Sequence, residues 1–348
     1  MMKQRTFHRV VRYSALILVA ISAVQVSAQG QGQRGGRRGG GLGDWLVTSE
    51  SNGRTRESIL SFSRDQEENV TGVSISSRGL TELKDVSFAE GKLSFVQTRR
   101  GRGGAESTAK FTGTIAEDAL TGTMSSDQGD SPLKGKRLPR VPRAVGTWEM
   151  KYKRGERDIT AKLIIKADAE GNLSGEWPSE RGASTISDLT LERRDLTFKR
   201  TMKREDQEYV STFTGTLERE GGITGTFKSE QGETPVTGTQ MGAALIGTWN
   251  LDVTSDRGEG KQRLVVYPDM SGWYGSVALK GISLEGDKVS FKMTMQMRDQ
   301  QAELAFTGKL AESGLTGELT SERGSQKITG TKAVNPRGGR GQRGGGAN

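Results

Sequence analysis

The 348-residue chain contains no cysteine and a single histidine, His8, and aromatic residues make up only 6% of it. Without cysteine there is neither a disulfide nor a thiol nucleophile. With the only histidine inside an amino-terminal leader, the remainder is denied serine–histidine–aspartate and cysteine–histidine sites, a histidine base and ordinary zinc ligation. Long apolar runs are equally scarce. The longest, Ala15 to Val24, is short for a bilayer span and is broken at Ser22 and Gln25. No stretch after the leader carries a sustained helical pattern, so neither a Walker loop nor a dinucleotide fingerprint has a helix to open.

What is present begins with that leader. Lys3, Arg5, Arg9 and Arg12 precede the apolar run, and Val26-Ser27-Ala28 supplies small residues for cleavage. Residues 1–28 therefore read as a cleavable signal peptide, cut after Ala28. The product is expected to be periplasmic or secreted, with no transmembrane span in its mature form. Lacking cysteine, it has no lipidation site, and its domains must rest on apolar cores without disulfides in an oxidising compartment.

The net charge of +9 is unevenly held. The leader carries four unopposed cations. Arg34, Arg37 and Arg38 lie in the segment 29–43, and Arg337, Arg340 and Arg343 in 334–348, with no acid in either. The rest is close to neutral. Both segments are Arg-Gly-Gly tracts too poor in apolar residues to fold, so they are expected to be disordered tails. They contain no aromatic residue to stack on a base, which favours flexible or adhesive arms over nucleic-acid readers. Weak, salt-sensitive contact of these tails with an anionic polymer remains open.

Between the tails, one unit occurs three times. Gly43-Asp44-Trp45, Gly146-Thr147-Trp148 and Gly247-Thr248-Trp249 open the copies. Phe111-Thr112-Gly113, Phe213-Thr214-Gly215 and Phe306-Thr307-Gly308 recur at one position, followed by Leu120-Thr121-Gly122, Ile223-Thr224-Gly225 and Leu315-Thr316-Gly317. A fixed interval of this kind marks a tandem repeat. The units span 44–138, 146–241 and 247–333, joined by the short linkers Leu138–Arg143 and Met241–Ile246.

Within each unit the period is two, as in Phe291-Lys-Met-Thr-Met-Gln-Met297, and short turn signals separate the runs. The third unit shows strands near 247–254, 261–267, 272–277, 281–285, 287–297, 301–310, 314–321 and 325–333. The fold class is all-β. Three tandem, roughly eight-stranded antiparallel up-and-down barrels fit best, since closure removes exposed edges. A β-sandwich is the alternative.

Gly-x-Trp on the first strand, the meander after it and a basic residue near the end of the last strand resemble the calycin barrels, the group of lipocalins and avidins. The resemblance implies that the Trp closes one barrel end and that the late basic residue packs across it. Arg137, Gln240 and Lys332 hold that late position, so the second copy departs from the pattern. The units are also similar to small Gly-Thr-Trp β-modules beside secreted bacterial enzymes, which implies an accessory role; no enzyme domain accompanies them here.

Taking Phe111, Leu120 and Leu93 as inward makes Gly113, Gly122 and Gly72 inward too, with Gly175 and Gly275 as equivalents of Gly72. The volume these glycines leave is either filled, by the Gly-x-Trp indole, or open to a small ligand. Gln97, Arg200 and Met293 share one inward position on the fifth strand. Met295 and Met297 extend an apolar lining in the third copy, Trp273 is expected inward with Tyr274 outward, and Trp177 is inward in the second. Arg200 is expected at the rim with its head in water. Trp273, Met293, Met295, Met297, Trp177 and Arg200 are therefore the candidate ligand-binding residues.

Asp127, Glu230 and Glu322 recur in Ser-x-x-Gly and read as caps of tight turns. Other carboxylates also sit in turns, which does not suit a facing pair for glycoside hydrolysis, and no calcium-loop signature occurs. The chain thus reads as a non-enzymatic binding protein without cofactor or metal, whose partner is a small apolar ligand, a glycan or a secreted protein. A structural scaffold with adhesive tails is the alternative, and a carboxylate hydrolase the remote one.

Overall fold

The computed structural model describes residues 42–333, apart from 52–53, 101–104, 180–183, 205–206, 257, 298–299 and 323. The expected signal peptide, the expected carboxy-terminal tail and all but the end of the expected amino-terminal tail lie outside the described residues. The described chain folds into three closed eight-stranded antiparallel barrels, which decides between barrel and sandwich.

The first barrel comprises β1 (Gly43–Ser51), β2 (Arg54–Arg64), β3 (Val70–Ser76), β4 (Gly79–Ala89), β5 (Lys92–Arg100), β6 (Glu106–Ala116), β7 (Ala119–Ser126) and β8 (Gly129–Arg137). In the second are β9 (Gly146–Arg154), β10 (Arg157–Ala167), β11 (Leu173–Glu176), β12 (Ser184–Glu192), β13 (Asp195–Arg204), β14 (Gln207–Leu217), β15 (Gly222–Ser229) and β16 (Gly232–Gln240). The third holds β17 (Gly247–Ser255), β18 (Gly258–Val266), β19 (Gly272–Tyr274), β20 (Val277–Glu285), β21 (Lys288–Met297), β22 (Gln300–Ala311), β23 (Gly314–Ser321) and β24 (Gly324–Lys332). Outward positions carry threonine and charge, as at Lys110, Thr112 and Thr114, instead of the apolar band of a membrane barrel.

The three opening tryptophans occupy one equivalent site. Trp45, Trp148 and Trp249 are 0%, 1% and 3% exposed and pair with Arg137, Gln240 and Lys332 on the last strand of their barrels. The Arg137 guanidinium stands 4.2 Å from the Trp45 ring centre and the Lys332 ammonium 5.5 Å from that of Trp249. In the second barrel Gln240 donates instead to the Val145 carbonyl at 2.7 Å. A neutral amide thus replaces the cation by closing the linker over the same end. The indoles of Trp148 and Trp249 donate to Ala144 and Leu245, each at 2.8 Å.

The inward glycines are filled, but not by these indoles. A Cβ on Gly122 would meet Phe111 Cζ at 2.5 Å and Thr112 O at 2.4 Å; Gly225 and Gly317 stand in the same relation to Phe213 and Phe306. Each phenylalanine therefore lies flat over two glycines of adjacent strands, and stacks on Phe95, Phe198 or Phe291 at 4.6–4.8 Å. The indole sits nearer the end of the barrel, so depth along the strand, which alternation does not encode, decides which ring fills the gap.

Ser126, Ser229 and Ser321 cap the repeated turns by donating to Gly129, Gly232 and Gly324 O, and in the first two the hydroxyl also accepts from Gln128 N and Gln231 N. The carboxylates Asp127, Glu230 and Glu322 in these turns are not the caps. The glycines hold φ of 104°, 114° and 122°, a region closed to most side chains.

The third barrel departs at its shortened β19. Register pairs Tyr274 with inward Leu264 and Trp273 with Val265, so Tyr274 faces the core and Trp273 faces out, the reverse of the expectation. Gly275, expected inside, leaves the wall at φ 62° and lies against Ser76 O of the first barrel. There Gln262 Nε2 donates to Ser76 O at 2.9 Å and Ser276 Oγ to Glu57 O at 3.3 Å. Ile59 and Ile75, on the outer wall of the first barrel, are 5% and 2% exposed. The shortened hairpin is thus the surface on which the first barrel docks.

Candidate functional site

All three barrels are plugged at the tryptophan end, so variation is concentrated at the other. In the second barrel this open end gathers Tyr152 from β9, Trp177 after β11, Ser184 from β12, Arg200 from β13 and Phe227 from β15. Alternation brings them inward: Arg200 follows buried Phe198 by two, and Tyr152 follows Met150 by two. Trp177 and Phe227 meet edge to face at 5.7 Å, and Tyr152 meets Phe227 at the same distance.

Onto this aromatic floor lies the Arg200 guanidinium, 4.4 Å from the Trp177 ring centre. Its Nη atoms donate to Tyr152 Oη at 3.4 Å and Ser184 Oγ at 3.3 Å, both long contacts. Nε is shut off from water and has no hydrogen-bond partner. No carboxylate among the described residues pairs with it. The head is therefore drawn back over the indole instead of standing free at the rim. Cation–π attraction offsets part of the desolvation, about 1 kcal/mol at a half-buried site. What the arrangement can do chemically is hold an anion over an aromatic surface.

Of the other candidates, Met293 is 1% exposed within the third core and Met295 packs partly buried against it. The Met297 side chain lies outside the described residues. Trp273 is apart from them, in a cleft of about 50 Å³ between the first and third barrels lined also by Ile59, Ile75, Arg263 and Tyr267. Burial lowers the Arg263 pKa, against which Asp44 acts, and burial followed by Asp44 and Asp269 pushes the Tyr267 phenol up to about 12. A second, open concavity of about 400 Å³ is lined by Lys151, Tyr152, Lys153, Ile159 and Pro235 of the second barrel. Among the described residues no three acidic side chains converge to hold a metal.

Of the side chains gathered here, the sequence analysis named Trp177 and Arg200, which the structure places in contact, but not Tyr152, Ser184 and Phe227. Their inward parity was available; the stagger that brings them level with Arg200 was not.

No protein-family model matches the chain, and no curated protein matches its sequence. Among solved structures it is similar to a candidate outer membrane protein of Bacteroides fragilis at 11% identity, over 84% of this chain and 97% of that one, with a TM-score of 0.23. Transferrin binding protein B of Haemophilus parasuis aligns at 10% identity over 84% and 75%, TM-score 0.20. A protein of unknown function from Nostoc punctiforme aligns at 12% over 84% and 96%, also at 0.20.

Proposed function

We propose that the chain is an exported, non-catalytic binding protein whose second barrel takes a small apolar ligand bearing an anionic group. The observation that carries this reading is Arg200: a half-buried guanidinium with a buried, unpartnered Nε, laid on an indole and unmatched by any described carboxylate. An isolated charge inside a barrel is costly unless something neutralises it. A ligand carboxylate accepting from the guanidinium, with its hydrocarbon body against Trp177 and Phe227, supplies that partner. The leader 1–28 supports export, which amino-terminal sequencing of the released protein checks.

Calorimetric titration of residues 29–348 with 2-naphthoate and with its neutral amide tests the site. The acid is expected to bind about tenfold tighter, the effect of one charge-assisted hydrogen bond. Arg200→Leu is expected to abolish that preference while leaving the melting temperature unchanged or raised, because a half-buried charge without an ion-pair partner, its Nε unbonded, is being replaced by an apolar side chain. Equal affinity for acid and amide, or no binding of either at millimolar concentration, would overturn the reading.

A further inference from the structure

The open end of the first barrel has a different lining, with charges sorted by face. Register pairs Trp45 with Leu60 and Ser49 with Arg56, so Arg56 shares the inward parity of the core residue Leu60. On β5, Phe95, Gln97 and Arg99 follow one another on the inward face; Gln97 is 4% exposed and its Oε1 accepts from Arg99 Nη2 at 3.0 Å. Arg78 sits at the same rim, in the β3–β4 turn. Ser49, Ser58, Thr81 and Ser131 bring hydroxyls to inward positions around them.

The strand carboxylates of this end, Glu50, Glu57, Glu82, Glu106 and Asp130, all have the opposite parity and face out. Among the described residues none forms an ion pair with Arg56, Arg78 or Arg99. Burial, and after it the neighbouring charges of Arg56 and Arg78, lower the Arg99 pKa. Three like charges therefore share a mouth whose strand acids point away.

We propose that this mouth binds a phosphate or sulfate group carried on a hydroxyl-rich body such as a sugar. Guanidinium forks match the oxygens of a tetrahedral oxyanion, and serine and threonine hydroxyls both donate to and accept from a polyol. The inward aromatics Phe95 and Phe111 lie deeper in the core, so the rim lacks the stacking platform that a nucleic acid strand would use. The site is separate from that of the second barrel and does not rest on it.

Calorimetry with glucose 6-phosphate, glucose, inorganic phosphate and inorganic sulfate tests the assignment on residues 29–348. The sugar phosphate is expected to bind, more tightly than either inorganic anion, with an affinity that falls as salt rises; glucose is expected not to bind. Arg99→Gln should weaken it about tenfold. Arg56→Gln, at an exposed position that cannot disturb the core, should weaken it about fivefold. Arg200→Leu should leave it unchanged, separating this site from the other. Absence of binding at millimolar concentration, glucose binding as well as its phosphate, inorganic phosphate binding tighter than the sugar phosphate, or unaltered affinity in both arginine variants would overturn the proposal.

Discussion

The two ends of each barrel obey different rules. At the closed end the same objects recur three times: an indole pinned under the last strand and a phenylalanine seated on paired glycines. At the open end, one aligned position holds Gln97, Arg200 or Met293, and its surroundings change from hydroxyls to aromatics to methionine. Folding is thereby assigned to one end and chemical variety to the other. A β-meander allows this because its turns at the open end connect adjacent strands only, so their side chains vary without altering register.

The sharpest way to break that comparison is to damage the shared end. Phe213→Ala leaves Gly215 and Gly225 uncovered and is expected to cost about 3–5 kcal/mol, read as an early urea transition for the second barrel. A loss no larger than that of Arg200→Leu would erase the distinction between the ends. Alkaline titration probes the docking cleft next. Tyr267 keeps its proton to about 12 in the folded chain, whereas the unfolded phenol loses it near the ordinary value of 10.0. Its contribution is complete below that ordinary value and is lost as pH rises through the folded one. Tyr274 is shifted the same way by burial alone. Melting curves across this window should fall less steeply for Tyr267→Phe than for the parent. The smallest effect is expected from Arg137→Gln, which gives the first barrel the amide of the second. It removes the cation over Trp45 and the 3.1 Å pair with Asp118, for a loss of about 1 kcal/mol by thermal melting.

Much of the fold was legible because alternation and Ser-x-x-Gly turns fix strand phase locally. The strands of the third unit fall close to where the period sets them, except around β19. That strand has only three residues, too few to show a phase, and so Trp273 and Tyr274 exchanged faces. The filler of the glycine gap was misread for another reason: alternation gives the side a residue faces, not its height in the barrel. Arg56, Arg78 and Arg99 belong to different hairpins and converge only on closure. The parity of Gln97 and Arg99, two residues apart on one strand, was the signal that could have raised the question.

The contact of Ser76 with Gln262 joins parts of the chain separated by the whole second unit. During synthesis the first barrel can close upon itself as soon as its own strands emerge, yet Ile59 and Ile75 on its outer wall then face water until the last unit arrives. A nascent or truncated product ending after the middle unit would carry a sticky apolar flank, and its completion doubles as its own shield.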